Sequence, residues 1–186
     1  MTHLRKQDYE VRPADKREAA DLVRSLHYSG GVSKVGADVH GLFLAGTDTL
    51  LGAAWWLPPT KNAAVSVAGD DWRACVSLSR LVVAAEVPCN GASFLLAGSR
   101  RLLKKDGRWR VLVTYADTGE GHTGAIYRAD NWNYLGETKA AFRYRGEDGV
   151  LMSKKRGART YSHREMLDMG FVAEGPFVKH KYSRVV

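Results

Sequence analysis

The 186-residue chain has little cysteine and no long apolar run. Its two cysteines, Cys75 and Cys89, make no disulfide framework and lack the paired spacing of a metal site. No segment approaches the roughly 18 apolar residues that a membrane span needs, and the N-terminus lacks the apolar core of a signal peptide. We therefore expect a cytoplasmic protein with reduced thiols and no membrane partner.

Acidic residues are outnumbered by basic ones, 20 against 28, so the net charge is +8. Residues 139–186 hold eleven Lys and Arg against five Asp and Glu, a difference of +6. A second basic group lies between residues 100 and 110. Such patches suit a polyanion such as DNA, although a solvated basic surface is an equal alternative. The candidate phosphate-binding side chains are Arg100, Arg101, Lys104, Lys154, Lys155, Arg156 and Arg159.

Alternation of strand and helix patterns predicts a single α/β domain over residues 1–186, with a mixed sheet and a basic C-terminal segment from about 139 to 186. Residues 60–74 are polar, and we predict that they are irregular, as are residues 157–160. The predicted helices begin near residues 15, 92, 123 and 162. The predicted strands cover about 9–12, 39–45, 49–57, 76–83, 109–115, 132–134, 139–144 and 177–182.

The stretch from Leu78 to Leu96 organises the chain. A buried strand ends before Pro88, and a helix then starts with Asn90 as a good N-cap residue. Small residues at Gly91 and Ala92 would let an anion approach the unpaired amides of the first helical turn. The stretch is therefore either a cradle for a phosphate or carboxylate, or an ordinary capped helix. Ser93, in the same turn, either donates to an oxyanion or supports the cap.

A second group of polar residues follows the strand at 109–115. Asp117 stands at a strand end, a position that faces the ligand crevice in open α/β sheets. Its carboxylate would orient or deprotonate an amine, or it would simply cap a turn. Tyr127, on the next helix, is a candidate acid or stacking surface, with a core tyrosine as the alternative. His122 is a candidate base or an exposed loop residue, and we expect Trp132 in the core.

Two further polar features interrupt apolar segments. Arg80 lies within an apolar strand, and a buried arginine needs an anionic partner. That partner is either a structural carboxylate or a bound phosphate or carboxylate. His27 and Tyr28 end the first helix just before two glycines. They are either an ordinary helix terminus, where histidine is favoured, or a polar pair that faces the site across a glycine-hinged loop.

At these residues the sequence resembles the Mom family of bacteriophage DNA-modification proteins. The matching pieces are His27-Tyr28, Leu78 to Val83, Asn90 to Ser93, Tyr115 to Asp117, and Gly121 to Tyr127 followed by Asn131-Trp132. The order of elements resembles the GNAT N-acetyltransferases, which implies a mostly antiparallel central sheet flanked by helices. In that fold a cradle after the fourth strand holds the pyrophosphate of acyl-coenzyme A. The turn at residues 88–93 fits the usual Gln/Arg-x-x-Gly-x-Gly/Ala pattern only loosely.

The resemblance implies a transferase that converts the adenine N6 amine of phage DNA to a carbamoylmethyl-type adduct. The adduct would protect the DNA from restriction in the cytoplasm of the infected host. The partners implied are double-stranded DNA with a flipped-out adenine, a small-molecule donor and a second copy of the chain. The catalytic residues implied are His27, Tyr28, Arg80, Ser93, Asp117 and Tyr127. The cofactor-binding residues implied are Val82, Val83, Asn90, Gly91, Ala92 and Ser93.

The resemblance names acyl-coenzyme A, such as acetyl-coenzyme A, as the donor and iron as a metal. The sequence has no two-histidine-one-carboxylate spacing that would hold iron, and we predict no metal-ligand set. Two other interpretations remain open. One is an ordinary acyl-coenzyme A-dependent N-acetyltransferase that acts on a small-molecule or protein amine. The other is a basic DNA-binding module without catalysis.

Overall fold

Twelve strands and five helices make up the computed structural model, which describes residues 3–33, 35–36 and 38–186. The strands are β1 (Tyr9–Pro13), β2 (Asp38–Leu44), β3 (Leu50–Leu57), β4 (Cys75–Val83), β5 (Val111–Asp117), β6 (Asn133–Glu137), β7 (Ala141–Arg145), β8 (Leu151–Met152), β9 (Lys155–Arg156), β10 (Arg159–Thr160), β11 (Val172–Phe177) and β12 (Lys179–Val185). The helices are α1 (Lys16–Leu26), α2 (Lys61–Ala68), α3 (Gly91–Asp106), α4 (Ala125–Ala129) and α5 (His163–Asp168).

The central sheet has seven strands in the order β1-β2-β3-β4-β5-β12-β6. The central pair, β4 and β5, is parallel, and the other neighbouring pairs in this sheet are antiparallel. A smaller sheet has the order β11-β7-β8, and β9 and β10 form a separate hairpin. The predicted α/β class with a mixed, mostly antiparallel sheet flanked by helices is therefore confirmed.

Both faces of the central sheet are covered, because consecutive strand residues point to opposite faces. The adjacent residues Trp55 and Trp56 show this division: Trp55 packs in the cluster with α1, and Trp56 packs in the cluster with α3. Both rings are almost fully buried. Helix α2 covers a third, smaller cluster around Cys75 and Val113. Helices α1 and α3 therefore pack against opposite faces of the central sheet.

Local signals fix several helix starts. The Asp15 side chain accepts hydrogen bonds from the amides of Arg17 and Glu18, which caps α1. Ser162 and Glu165 form the predicted capping box at α5, because each side chain bonds the other's backbone. None of the helices in the described ranges is long and apolar enough to cross a bilayer.

Three predictions of local structure are wrong. Residues 60–74 are not irregular: Thr60 caps α2 through the amide of Ala63, Ala64 is buried against the sheet, and a 3-10 turn follows. The prediction of loop over residues 157–160 is wrong in its second half: Gly157 and Ala158 form the turn of the β9–β10 hairpin, but Arg159 and Thr160 are strand β10. Strand β11 was not predicted, because its sequence contains Gly175 and Pro176, which usually mark turns.

Candidate active site

A cavity opens where β4 and β5 separate. The two strands pair only from Cys75 with Val111 to Leu78 with Thr114. Beyond that point β4 continues to Val83 and β5 to Asp117 without pairing to each other. The space between them has a volume of about 360 Å³. Its lining residues include His27, Tyr28, Ser79, Arg80, Ala92, Tyr115, His122 and Tyr127.

His27 and Tyr28 follow α1 and form one wall of this cavity. Their rings are stacked with centroids 4.2 Å apart, and Tyr28 meets the edge of His122 at 6.0 Å. His27 Nδ1 lies 3.1 Å from the amide of Ser29, from which it accepts a hydrogen bond. Burial, together with the charge of Arg80, lowers the pKa of His27 to about 4. The imidazole is therefore neutral at pH 7 and carries its proton on Nε2.

Arg80 points its guanidinium at the cavity without an acidic partner. Its Nε donates to the carbonyl of Gly31 at 3.0 Å, and its Nη1 donates to the carbonyl of Ser79 at 2.7 Å. Within the described ranges no carboxylate lies at ion-pair distance from Arg80. Burial lowers the pKa of Arg80. Of the two partners expected from the sequence, the structural carboxylate is therefore not observed, and a cation is left facing the cavity.

The start of α3 differs in detail from the cradle expected from the sequence. Asn90 is at the N-cap position, but its Oδ1 accepts from the amide of Leu4 at 2.6 Å and makes no capping bond. The amide of Gly91 donates to Pro88 at 2.9 Å. A Cβ at Gly91 would lie 2.3 Å from Cγ1 of Val87. Packing against Val87, rather than the approach of an anion, therefore requires glycine at this position.

The next two residues of α3 leave backbone donors available. The amides of Ala92 and Ser93 make no hydrogen bond to any residue in the described parts of the chain. Ala92 lines the cavity, whereas Ser93 lies beside it. Val82 is buried in the cluster under α1, and Val83 packs against the cluster under α3. The side chains of these two valines are therefore committed to the core.

Asp117 stabilises a turn next to the cavity. Its carboxylate accepts from the amide of Gly119 at 3.0 Å and pairs with Lys179 Nζ at 2.8 Å. Burial alone would raise the pKa of Asp117, but Lys179 and the Gly119 amide outweigh it and the pKa is lowered. Asp117 is thus an ionised carboxylate, 8% exposed, that caps the turn. Burial and the charge of Asp117 raise the pKa of Tyr28 to about 12.

Tyr127 forms the floor of the cavity. It is 9% exposed and lies on α4, with ring centroids 5.6 Å from Trp132 and 5.3 Å from Tyr182. Burial raises the pKa of Tyr127, so its phenol holds its proton at neutral pH. Trp132 is buried, as predicted. Gly124 precedes α4 with φ at +72°, and a Cβ there would meet Tyr182 at 2.4 Å. Gly124 therefore lies directly against Tyr182, one of the two aromatic rings that pack on Tyr127.

The predicted phosphate-binding residues fall into two groups. Arg100 and Arg159 have carboxylate partners, Asp130 at 3.0 Å and Glu165 at 2.5 Å. The Arg100 pair is mostly buried, which makes Arg100 a structural residue. Among the described residues, the second group makes no ion pair and consists of Arg101, Lys104, Lys154, Lys155 and Arg156.

No three His, Cys, Asp or Glu side chains in the described ranges lie close enough together to hold a metal ion. These residues therefore provide no ligand set for iron, and none of the proposed roles of the cavity side chains involves a metal. The cavity offers a different set of groups: one unpaired cation, the free amide of Ala92, aromatic rings and a protonated phenol. Such groups bind an anionic ligand and a planar ring and can donate a proton.

Comparison with known proteins identifies the family. The model of the Mom protein family matches residues 8–182. The chain belongs to the Mom protein family. This membership bears out the resemblance that the sequence shows at the cavity residues, and it supports DNA modification as the general function. No curated protein sequence matches this Mom protein significantly.

Solved structures similar to this Mom protein share its fold at low sequence identity. An N-acetyltransferase from Staphylococcus aureus Mu50 is 12% identical, with a TM-score of 0.56 over 95% of this chain and 98% of that one. The ribosomal-protein-S18-alanine N-acetyltransferase from Escherichia coli is 11% identical, with a TM-score of 0.53 over 96% and 94%. The putative acetyltransferase yncA from Salmonella typhimurium, solved with acetyl-CoA, is 12% identical, with a TM-score of 0.53 over 95% and 93%. The fold is that of GNAT acetyltransferases.

Proposed function

We propose that this Mom protein is a DNA-modifying transferase. It converts the adenine N6 amine in phage DNA to a carbamoylmethyl-type adduct, which protects the DNA from host restriction. The observation that carries the proposal is the cavity between the separated ends of β4 and β5. It combines an unpaired cation, Arg80, with a free helix amide and a buried phenol, Tyr127.

The cavity suits an extruded nucleobase. Its volume of about 360 Å³ lies within the range of small-molecule sites. Adenine N6 cannot reach the groups inside this cavity while the base is stacked in a duplex, so the base must be flipped out, which costs a few kcal/mol. Stacking on an aromatic ring offsets part of this cost. Tyr28, at the cavity wall, is the proposed stacking surface, and its ring meets the edge of His122.

The groups at the start of α3 suit an anionic donor of the acyl-coenzyme A class. The amides of Ala92 and Ser93, at the positive end of the helix, and the Arg80 guanidinium would hold its phosphates or its carbonyl oxygen. When bound, the donor would supply an acyl carbon to the N6 amine: the N6–C bond forms as the thioester C–S bond breaks, and the thiol leaves with a proton. This step gives an N6-acyl adenine. The carbamoylmethyl-type adduct, which has an N6–CH2 bond and a terminal amide, would require a further step with a nitrogen donor. The acetyl-CoA in the Salmonella typhimurium neighbour supports this choice.

Each polar side chain then has a proposed task. Tyr127 donates a proton to the leaving group, because its phenol is protonated at neutral pH. His122 accepts the proton that the amine loses. His27 is neutral and serves as a hydrogen-bond donor through Nε2. Asp117 acts through its neighbours: it fixes the turn before His122.

The proposal is tested by nucleoside mass analysis of DNA from bacteria that express the protein. Cells with the wild-type chain should contain a modified deoxyadenosine, and cells with Tyr127→Phe should contain far less. Tyr134→Phe is the matched control, because Tyr134 is exposed and does not line the cavity. An unmodified deoxyadenosine pool in cells that contain folded wild-type protein would refute the proposal.

The fold supports a second candidate, an ordinary acyl-coenzyme A-dependent N-acetyltransferase that acts on a small-molecule or protein amine. This candidate uses the same donor groups but needs no DNA. It predicts that purified protein acetylates an amine in the absence of DNA, and that the DNA of expressing cells stays unmodified. If the protein is instead a DNA-modifying enzyme, purified protein should not acetylate an amine without DNA, and the DNA of expressing cells should contain modified deoxyadenosine.

A further inference from the structure

A strongly basic segment of the chain lies between Asp148 and Glu165. It contains no acidic residue and carries Lys154, Lys155, Arg156, Arg159 and Arg164. Its centre is the β9–β10 hairpin, residues 155–160, in which every residue is exposed. In the described structure this hairpin pairs with no other strand. It therefore projects its positive charge into solvent as a two-stranded ribbon.

Two arginines face each other across the hairpin. Arg156 and Arg159 are directly paired, so their side chains share one face, and both guanidinium groups lie over Tyr161, at 5.9 and 4.5 Å from its centroid. Like charges in such a pair destabilise a ribbon that is already marginal alone. Arg159 has Glu165 as partner, whereas Arg156 makes no ion pair among the described residues. A polyanion would relieve this repulsion.

The base of the hairpin is anchored to the small sheet. The amide of Tyr161 donates to the carbonyl of Lys154 at 2.9 Å, and Lys154 Nζ lies 5.8 Å from the ring centroid of Tyr144. Tyr144 on β7 is fully buried, and its hydroxyl is 2.7 Å from His163 Nδ1. The base of the hairpin therefore packs against the buried side chain of Tyr144 in the small sheet.

Strand β7 also connects this base to the cavity. Arg143 precedes Tyr144 and points to the opposite face of the strand. Its guanidinium donates to the Gly119 carbonyl at 3.2 Å and forms ion pairs with Glu120 and Glu174. Gly119 and Glu120 belong to the 3-10 turn at residues 118–120. This turn precedes residues 121–124, the cavity loop, which line the cavity. The hairpin and the cavity loop are thus joined through one strand.

We infer that the β9–β10 hairpin is a DNA-binding ribbon that enters a groove of the duplex beside the adenine being modified. This inference rests on the proposed function. Paired strands are about 4.8 Å apart, and the major groove of B-DNA, about 12 Å wide, admits such a ribbon. The tip, Gly157-Ala158, is small enough to enter, while Lys155 and Arg156 reach the phosphates. The deep, narrow major groove of A-form RNA would exclude it.

The test is fluorescence anisotropy of the full chain with labelled duplex DNA over a range of salt concentrations. The hairpin variant is Lys155→Ala with Arg156→Ala. The control is Lys6→Ala with Arg17→Ala, which removes two exposed charges elsewhere. We expect the hairpin variant to raise Kd about ten-fold at 0.1 M salt and to lower the slope of log K against log salt by about 2. The control should change neither quantity.

Equal Kd and equal slope for the hairpin and control variants would overturn the inference, as would equal binding of an RNA duplex by the wild type. If the double variant melts early, Lys155→Ala alone must lower the slope by about 1. A wild type that binds DNA but leaves adenine unmodified would refute the proposed function alone. A wild type that modifies adenine, with normal DNA binding by the hairpin variant, would refute this inference alone.

Discussion

Replacement of Tyr127 by phenylalanine removes one oxygen atom from the floor of the cavity. The ring keeps its contacts with Trp132 and Tyr182, at 5.6 and 5.3 Å between centroids, so the packing of α4 on the sheet is retained. The loss of one hydroxyl from a buried position costs about 1 kcal/mol of folding stability. The fold should therefore survive the change, with a small drop in melting temperature.

The effect on catalysis should be much larger. Burial raises the pKa of Tyr127, so the phenol is an acid that holds its proton until it is needed. Loss of a positioned general acid slows a reaction by about 10²- to 10⁴-fold. We expect this loss in kcat with little change in KM, because the hydroxyl contributes to the transition state more than to substrate binding.

The assay is the initial rate of adenine modification in a duplex oligonucleotide, followed by nucleoside mass analysis and paired with a melting curve. Tyr134→Phe removes a hydroxyl from an exposed tyrosine and should keep the wild-type rate. A folded Tyr127→Phe protein with a rate within about three-fold of the wild type would refute the role of Tyr127 as an acid, since general acids contribute about 10²-fold or more.

Three other substitutions test the remaining parts of the site. Arg80→Met removes the unpaired cation, and we expect KM for the donor to rise about ten-fold or more, because a charged hydrogen bond to the donor is lost. The melting temperature should fall only slightly, through the loss of the hydrogen bonds from Arg80 to the carbonyls of Gly31 and Ser79. His27→Gln should reduce the fall in stability as pH drops from 6.5 towards 4, because the pKa of His27 is about 4 when folded and only the unfolded chain binds its proton in that window; melting curves from pH 4 to 7 would show it. Burial also lowers the pKa of His40, so part of the fall should remain. Gly91→Ala places a Cβ 2.3 Å from Val87 and should cost about 1–3 kcal/mol in chemical denaturation, whereas Gly31→Ala, with no atom within 4 Å, should be neutral.

The sequence predicted the central elements because their signals are local. Asp15 and Ser162 cap their helices as expected, and the apolar run through β4 forms a strand. It did not predict α2, because polar residues surround this short alanine- and valine-rich segment and indicate a loop; in the structure Thr60 caps the helix and Ala64 packs against the sheet. Nor did it predict β11, where tertiary pairing with β7 overrides Gly175 and Pro176.

The residues of the site could be named from the sequence, but their partners could not. Asp117 was expected at a ligand crevice, and the structure adds its pairing with Lys179, which lies 62 positions away in the chain. Asn90 was expected to cap α3, yet its side chain bonds Leu4. Arg143, which holds the turn before the cavity loop, gives no local signal because all its partners are distant in sequence. Long-range pairings of this kind become visible only in three dimensions.

The central claim is that one cavity, between the separated ends of β4 and β5, receives both the donor and the flipped adenine. A crystal structure of the protein with a duplex that contains a single mispaired adenine tests it most directly, since mispairing lowers the cost of extrusion. The account predicts the adenine ring inside the cavity, stacked on Tyr28, with the donor's anionic groups at Arg80 and Ala92. An adenine that remains stacked in a tightly bound duplex, or one that lies against another face of the protein, would contradict the account.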